Sequence, residues 1–93
     1  MESNFEWDLG KEAINIQKHG VDFKKASEVF ADPCRRIFKD VKHSEYEDRW
    51  ICIAQVKEGI LTVRFVYREQ RIRILGAGFW RKGAELYEKK IHG

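Results

Sequence analysis

A chain of 93 residues is long enough for one sheet with two or three helices and too short for a second core, so residues 1–93 are expected to fold as a single domain. Six Phe, three Trp and three Tyr supply a core that needs no metal or disulfide staple, and one Pro with seven Gly is too few for a disordered tail. The net charge of +3 hides a polarity: residues 1–48 carry eight Lys/Arg against eleven Asp/Glu, whereas residues 49–93 carry ten against four, so the second half is the one suited to a phosphate-rich partner.

The opening MESNFEWDLG lacks the apolar core of a signal peptide, and no later stretch reaches the roughly 18 uninterrupted apolar residues of a membrane helix. A cytoplasmic protein with no membrane contact is expected, in which Cys34 and Cys52, not spaced as a CxxC pair, remain thiols. Asn4 to Glu6 can form a short extra N-terminal strand. Asp8 then precedes Leu9 to His19, where Leu9, Ala13 and Ile16 fall at i, i+4 and i+7; this predicts an amphipathic helix closed by Gly20. Asp22 caps a second helix with Phe23, Ala26, Val29 and Phe30 on one face, ended by Asp32-Pro33. The first third of the chain is therefore a helical hairpin.

The hydrophobic period then changes from 3.6 to 2, which predicts strands at Arg35 to Val41, Arg49 to Val56, Leu61 to Tyr67 and Arg71 to Ala77. Two-residue turns at Glu58-Gly59 and Glu69-Gln70 pair the last three strands antiparallel. In that register Trp50, Cys52, Ala54, Val56, Leu61, Val63, Phe65, Tyr67, Ile72 and Ile74 share the face that the hairpin covers. The opposite face collects Arg49, Arg64, Arg68, Arg71 and Arg73 among Ile51, Ile53, Val66 and Leu75, and those apolar residues imply cover by the last helix or by a partner. That helix, Phe79 to Ile91, has Trp80, Ala84, Tyr87 and Ile91 at i, i+4, i+7 and i+11. The expected fold class is α+β: a helical hairpin packed on one face of a four-stranded antiparallel sheet, with a C-terminal helix.

His19, His43 and His92 with Cys34 and Cys52 match neither HExxH nor paired CxxC spacing, so no metal or cofactor is expected. Gly76-Ala77-Gly78 reads as room for a tight strand-to-helix turn before it reads as an anion nest. The arginine face is the stronger lead, because guanidinium groups grip phosphates bidentately and stay charged at physiological pH, although a solvated sheet face explains the same charges. Cutting RNA without a metal requires a base for the 2′-hydroxyl, an acid for the leaving oxygen and cations for the phosphorane charge. His43 in the loop before the basic strand, Glu47 and Tyr67 are the acid and base candidates. Their plainer readings are a solvated loop histidine for His43 and an ion-pair partner of Arg49 for Glu47. Lys18-His19-Gly20 likewise reads first as cations at a helix C-terminus.

Phe5-Glu6-Trp7-Asp8, Lys11, Asn15, Lys18-His19-Gly20, Phe23, Ala26, Val29-Phe30 and Asp32-Pro33, followed by Asp40, His43, Glu47, Arg49, Tyr67 and Arg71-Ile72-Arg73-Ile74, resemble the BrnT toxins over nearly the whole chain. The resemblance implies a RelE-like fold, a metal-independent ribonuclease that halts translation, and a BrnA-like ribbon-helix-helix antitoxin as partner. One departure is visible: many family members continue the last strand with Ser-Ala-Arg, whereas this chain has Gly76-Ala77-Gly78, leaving Arg81 or Lys82 as the next cation.

The expected protein is thus an RNA-cutting toxin in which Arg71 and Arg73 stabilise the scissile phosphate, His43, Glu47 and Tyr67 are the proton-transfer candidates, and Arg49, Arg64, Arg68, Arg81 and Lys82 bind the RNA. The rival expectations are a non-catalytic module that represses transcription with its antitoxin and a plain RNA-binding domain.

Overall fold

The computed structural model describes residues 4–92, with side chains through Lys89. Its elements follow the local chemistry of the sequence. Helix α1 (Leu9–His19) begins where the Asp8 carboxylate accepts from Lys11 N at 2.9 Å and ends at Gly20, whose φ of 70° lets its N–H reach Ile16 O at 2.8 Å. Asp22 caps α2 (Phe23–Ser27) through Lys25 N at 2.7 Å. The expected continuous second helix divides here, because the Ser27 hydroxyl donates back to Lys24 O at 2.6 Å and the chain tightens into a 3-10 turn, Glu28–Ala31, ahead of Asp32-Pro33.

Five strands form one mixed sheet in the order β1-β5-β4-β3-β2, with β1 at Phe5–Trp7, β2 at Arg36–Lys39, β3 at Trp50–Val56, β4 at Gly59–Arg68 and β5 at Arg71–Gly78. The four antiparallel strands are as expected, and β1 adds a fifth that runs parallel to β5 over Ile72 to Ile74. Lys57 and Glu58, rather than Glu58 and Gly59, form the first hairpin turn, since Val56 pairs with Gly59. This shifts the pairing by two residues and so keeps every side chain on its expected face. Glu69 and Gln70 occupy the second turn with φ of 52° and 66°, the left-handed geometry that a type I′ turn demands and that Asn-Gly usually supplies. A bulge at Leu75 sets Arg64 opposite Gly76 while Phe65 faces Ile74, which returns Ala77 to the core opposite Val63.

The main core lies between this face and the N-terminal helices: Cys52, Ala54, Leu61, Val63, Phe65, Ile74 and Ala77 meet Val21, Phe23, Ala26 and Val29, all buried. Phe30 closes it, edge-on to Phe65 at 5.1 Å and tilted against Phe5 at 5.4 Å. The expected apolar stripe of α1 does not take part: Leu9 is 75% exposed and Ile16 46%, and Ala13 is also on the surface. This helix docks instead through polar side chains. Glu12 accepts from Phe23 N at 2.9 Å, and buried Asn15 donates to Val21 O at 2.9 Å and to Ala77 O at 3.0 Å while accepting from Ala77 N at 3.1 Å. The reason lies in the sheet edge: β1 ends opposite Ile74, so the β5 backbone at Ala77 needs a partner, and the Asn15 amide takes the place of the missing strand.

Asp32 does the same at the other edge. Its carboxylate accepts from Gln55 N at 2.8 Å, beyond the point where β2 pairs with β3, and from Cys34 N at 2.8 Å and the Tyr87 hydroxyl at 2.7 Å. Partial burial would raise the Asp32 pKa, but these hydrogen bonds outweigh it and hold the carboxyl below its usual range, while the same bond pushes the Tyr87 phenol up to about 12. Tyr87 belongs to α3 (Arg81–His92), which crosses the second face of the sheet, burying Ile53; Gly83 lies so close to Thr62 that a methyl there would overlap its hydroxyl. Arg36 Nη1 donates to Leu86 O at 3.0 Å from the same side. Helices therefore cover both faces, and the expected apolar position at Ile91 lies outside the described side chains. Among the described residues no helix is long and apolar enough to cross a membrane.

Candidate active site

Where α3 meets the second face, a cavity of about 320 Å³ opens between Phe38, Ile51, Ile53, Thr62, Gly83, Leu86 and the Trp80 ring. Its walls are apolar, and its rim carries Asp40, His43, Arg64 and Lys82. That size is at the small end of ligand pockets, which run from about 300 to 1,000 Å³, and suits one planar ring system.

The rim is built by a tight local network. Asp40 N donates to Arg49 O at 2.7 Å, the Ser44 hydroxyl donates to Asp40 O at 2.6 Å, and Arg49 N donates to Ser44 Oγ at 2.9 Å. These bonds end β2 early and wind Val41–His43 into a 3-10 turn, so that His43 Nδ1 comes 2.9 Å from Asp40 Oδ2. A carboxylate can only accept, so Nδ1 carries the hydrogen and Nε2 is the nitrogen left to exchange protons. Asp40 is largely shielded, with 12% of its side chain exposed, whereas His43 is half open at 52%; the orienting group is covered and the oriented one reaches solvent.

Arg64 is placed by a glycine. Its guanidinium lies across Gly76, where an added Cβ would sit 2.5 Å from Nη2. Arg64 makes no ion pair with any described residue, unlike its neighbours on the sheet. Gly78 plays the matching part for Trp80, whose indole would lie 2.6 Å from an added Cβ and whose other contact is the His19 ring at 5.2 Å. The departure at residues 76–78 thus makes room for Arg64 and Trp80. On the β2 side, Arg36 Cζ stacks 5.1 Å over the Phe38 ring.

Of the residues expected in the site, His43, Arg64 and Lys82 meet at this cavity. The others lie elsewhere. Arg68 and Arg71 are a direct cross-strand pair, with Arg73 opposite Val66, so the arginine row exists, but acids hold it: Glu47 accepts from Arg68 at 3.0 and 3.2 Å, and Glu6 lies 3.5 Å from Arg71 and 3.0 Å from Arg73. Arg71 also donates to Phe5 O at 2.9 Å. Glu47 is thereby the partner of Arg68 and not of Arg49, because the 42–48 loop carries it past the end of β3. Tyr67 packs edge-on against Phe65 at 5.3 Å and Trp50 at 6.1 Å, on the core face, opposite to Arg64. Arg49 serves the Asp40 turn through its backbone, and Arg81 lines a separate shallow groove with Glu58 and Phe79.

Sequence reasoning missed Asp40, Trp80, Phe38 and Arg36 as site residues. The Asp40-x-x-His43 spacing was the available signal, since three residues is the reach of one tight turn. Among the described residues no three His, Cys, Asp or Glu side chains converge as metal ligands. A search of curated proteins gives no match. A family described as the ribonuclease toxin BrnT of type II toxin-antitoxin systems matches residues 7–83, most of the chain and all the residues of this cavity except Leu86; the chain belongs to that family.

Proposed function

We propose that this toxin cuts RNA without a metal, in the cavity beneath α3, by attack of a ribose 2′-hydroxyl on the adjacent phosphorus. His43 Nε2 takes the 2′-hydroxyl proton, with Asp40 holding the ring and stabilising its protonated form. The 2′-oxygen–phosphorus bond forms and the phosphorus–5′-oxygen bond breaks, giving a 2′,3′-cyclic phosphate and a 5′-hydroxyl. Arg64, free of competing carboxylates, receives the phosphorane charge. Lys82 neutralises the leaving 5′-oxygen, which draws its proton from solvent. The apolar walls take the neighbouring base, stacked by Trp80 and Phe38. Arg49, Arg68, Arg71, Arg73 and Arg81 then serve as backbone contacts along the RNA, and Glu47 and Tyr67 have no part in proton transfer. The observation that carries this reading is that the His43–Asp40 pair and Arg64 open on one cavity.

In the cell this activity halts translation, and the antitoxin is a BrnA-like ribbon-helix-helix protein, a reading that rests on the family resemblance. The test is cleavage of a defined RNA by purified protein in EDTA, with the ends identified: 2′,3′-cyclic phosphate products support the mechanism. Cleavage that stops in EDTA, or products with 5′-phosphates, would overturn it. Growth arrest relieved by the neighbouring ribbon-helix-helix protein tests the partner.

A further inference from the structure

We propose that a second cavity, between α1 and β5, is a phosphate subsite that holds the RNA backbone phosphate next to the scissile one. The cavity measures about 170 Å³ and is lined by Lys11, Asn15, Lys18, His19, Arg64 and Leu75, with Ile14 at its edge and no carboxylate among them. Lys11, Asn15 and Lys18 recur at i, i+4 and i+7, so they share one face of α1. Asn15 spends its amide on three hydrogen bonds, two to the Ala77 backbone of β5 and one to Val21 O, which leaves the two ammonium groups and the Arg64 guanidinium to set the cavity's charge. Three permanent cations around one small cavity repel one another, and an anion removes that cost.

The helix dipole accounts for Lys18 and His19 at the C-terminal end of α1, but it disfavours Lys11 in the first turn, so Lys11 has no such structural reason to be there. Arg64 lines both cavities, and the His19–Trp80 contact joins their walls. A phosphate here would therefore sit beside the one at Arg64. A shape of this kind takes a backbone phosphate and reads no base.

The inference rests on the proposed RNA cleavage, yet it can be tested where nothing is cut. Binding of an RNA blocked by 2′-O-methyl groups is measured against salt for the native protein and for Lys11→Gln/Lys18→Gln. Losing the one phosphate that this cavity holds on a single strand lowers the slope of log K against log salt by about 0.7, at roughly 0.7 per phosphate. In cleavage, the preference of the native protein for a tetranucleotide over a dinucleotide should fall about tenfold in the double variant. An unchanged salt slope would overturn the subsite. So would a slope that stays constant while binding of the antitoxin weakens, which would make the cavity a protein contact. Inorganic phosphate binding lost in the variant without any change in RNA binding would equally overturn it, as a free-anion site.

Discussion

Replacing Asn15 by Ala removes three hydrogen bonds at once: two donations, to Val21 O and Ala77 O, and one acceptance from Ala77 N. At a net value of about 0.5–1.5 kcal/mol each, the loss is roughly 3 kcal/mol. Water entering from the adjoining cavity recovers part of it, so about 1.5 kcal/mol is the lower bound. Domains of this size have total stabilities of about 5–15 kcal/mol and lose ~4–8 °C of Tm per kcal/mol, so the variant should melt on the order of 10–20 °C lower. Asn15→Asp distinguishes the bonds from the shape. It keeps an acceptor for Ala77 N but turns a carboxylate toward two carbonyls, which raises its pKa in the folded state above that of the unfolded chain. Its folded form therefore binds the proton more tightly, and its stability is greatest in acid and falls as pH rises from about 4 through the raised value. Urea unfolding followed by circular dichroism measures both. A loss below about 1 kcal/mol in Asn15→Ala, or an Asn15→Asp variant that grows more stable from pH 4 to 7, would refute the idea that this side chain completes the sheet edge.

Gly76→Ala pushes on the far end of Arg64, a flexible side chain, so stability should change by less than about 1 kcal/mol while RNA cleavage falls at least about tenfold; thermal melts and initial rates measure the two. Glu69→Asn with Gln70→Gly relieves two left-handed non-glycine residues and should stabilise the fold by about 1–2 kcal/mol in urea titrations, without altering cleavage. Because hydrogen bonds hold the Asp32 pKa below its unfolded value, its contribution is complete above about pH 4 and is lost as pH falls through the folded value; the stability gap between native protein and Asp32→Asn should therefore shrink in acid, as unfolding at pH 7 and pH 3 would show.

The capping residues, the strands and their faces were legible because they depend on local chemistry and on period two alone. Asp8, Gly20 and Asp22 act where the sequence places them, and the first hairpin turn moved by one residue, which shifted the pairing by two without disturbing any face. The α1 docking face was not legible, since apolar periodicity assigns the inside to Leu9, Ala13 and Ile16, while the edge of β5 required a hydrogen-bonding group and selected Asn15, and the start of α2 selected Glu12. Arg64, Arg68, Arg71 and Arg73 were read correctly as a row, and their spacing said little about which of them acids hold. That depends on Glu6 and Glu47, which reach it from a parallel edge strand and from a loop, and neither position follows from spacing. The second face hid its site for a related reason: the last helix was only one of two expected covers for that face and had no register on it, so Trp80 and Lys82 could not be set beside His43.

The single-turnover cleavage rate of His43→Gln on a short RNA, at saturating protein, tests the account most directly. Gln keeps a polar group of similar reach but cannot take a proton, so the rate should fall by at least about 10²-fold while RNA affinity stays within about threefold. A rate within threefold of the native protein would contradict the placement of the active site at the His43–Asp40 turn.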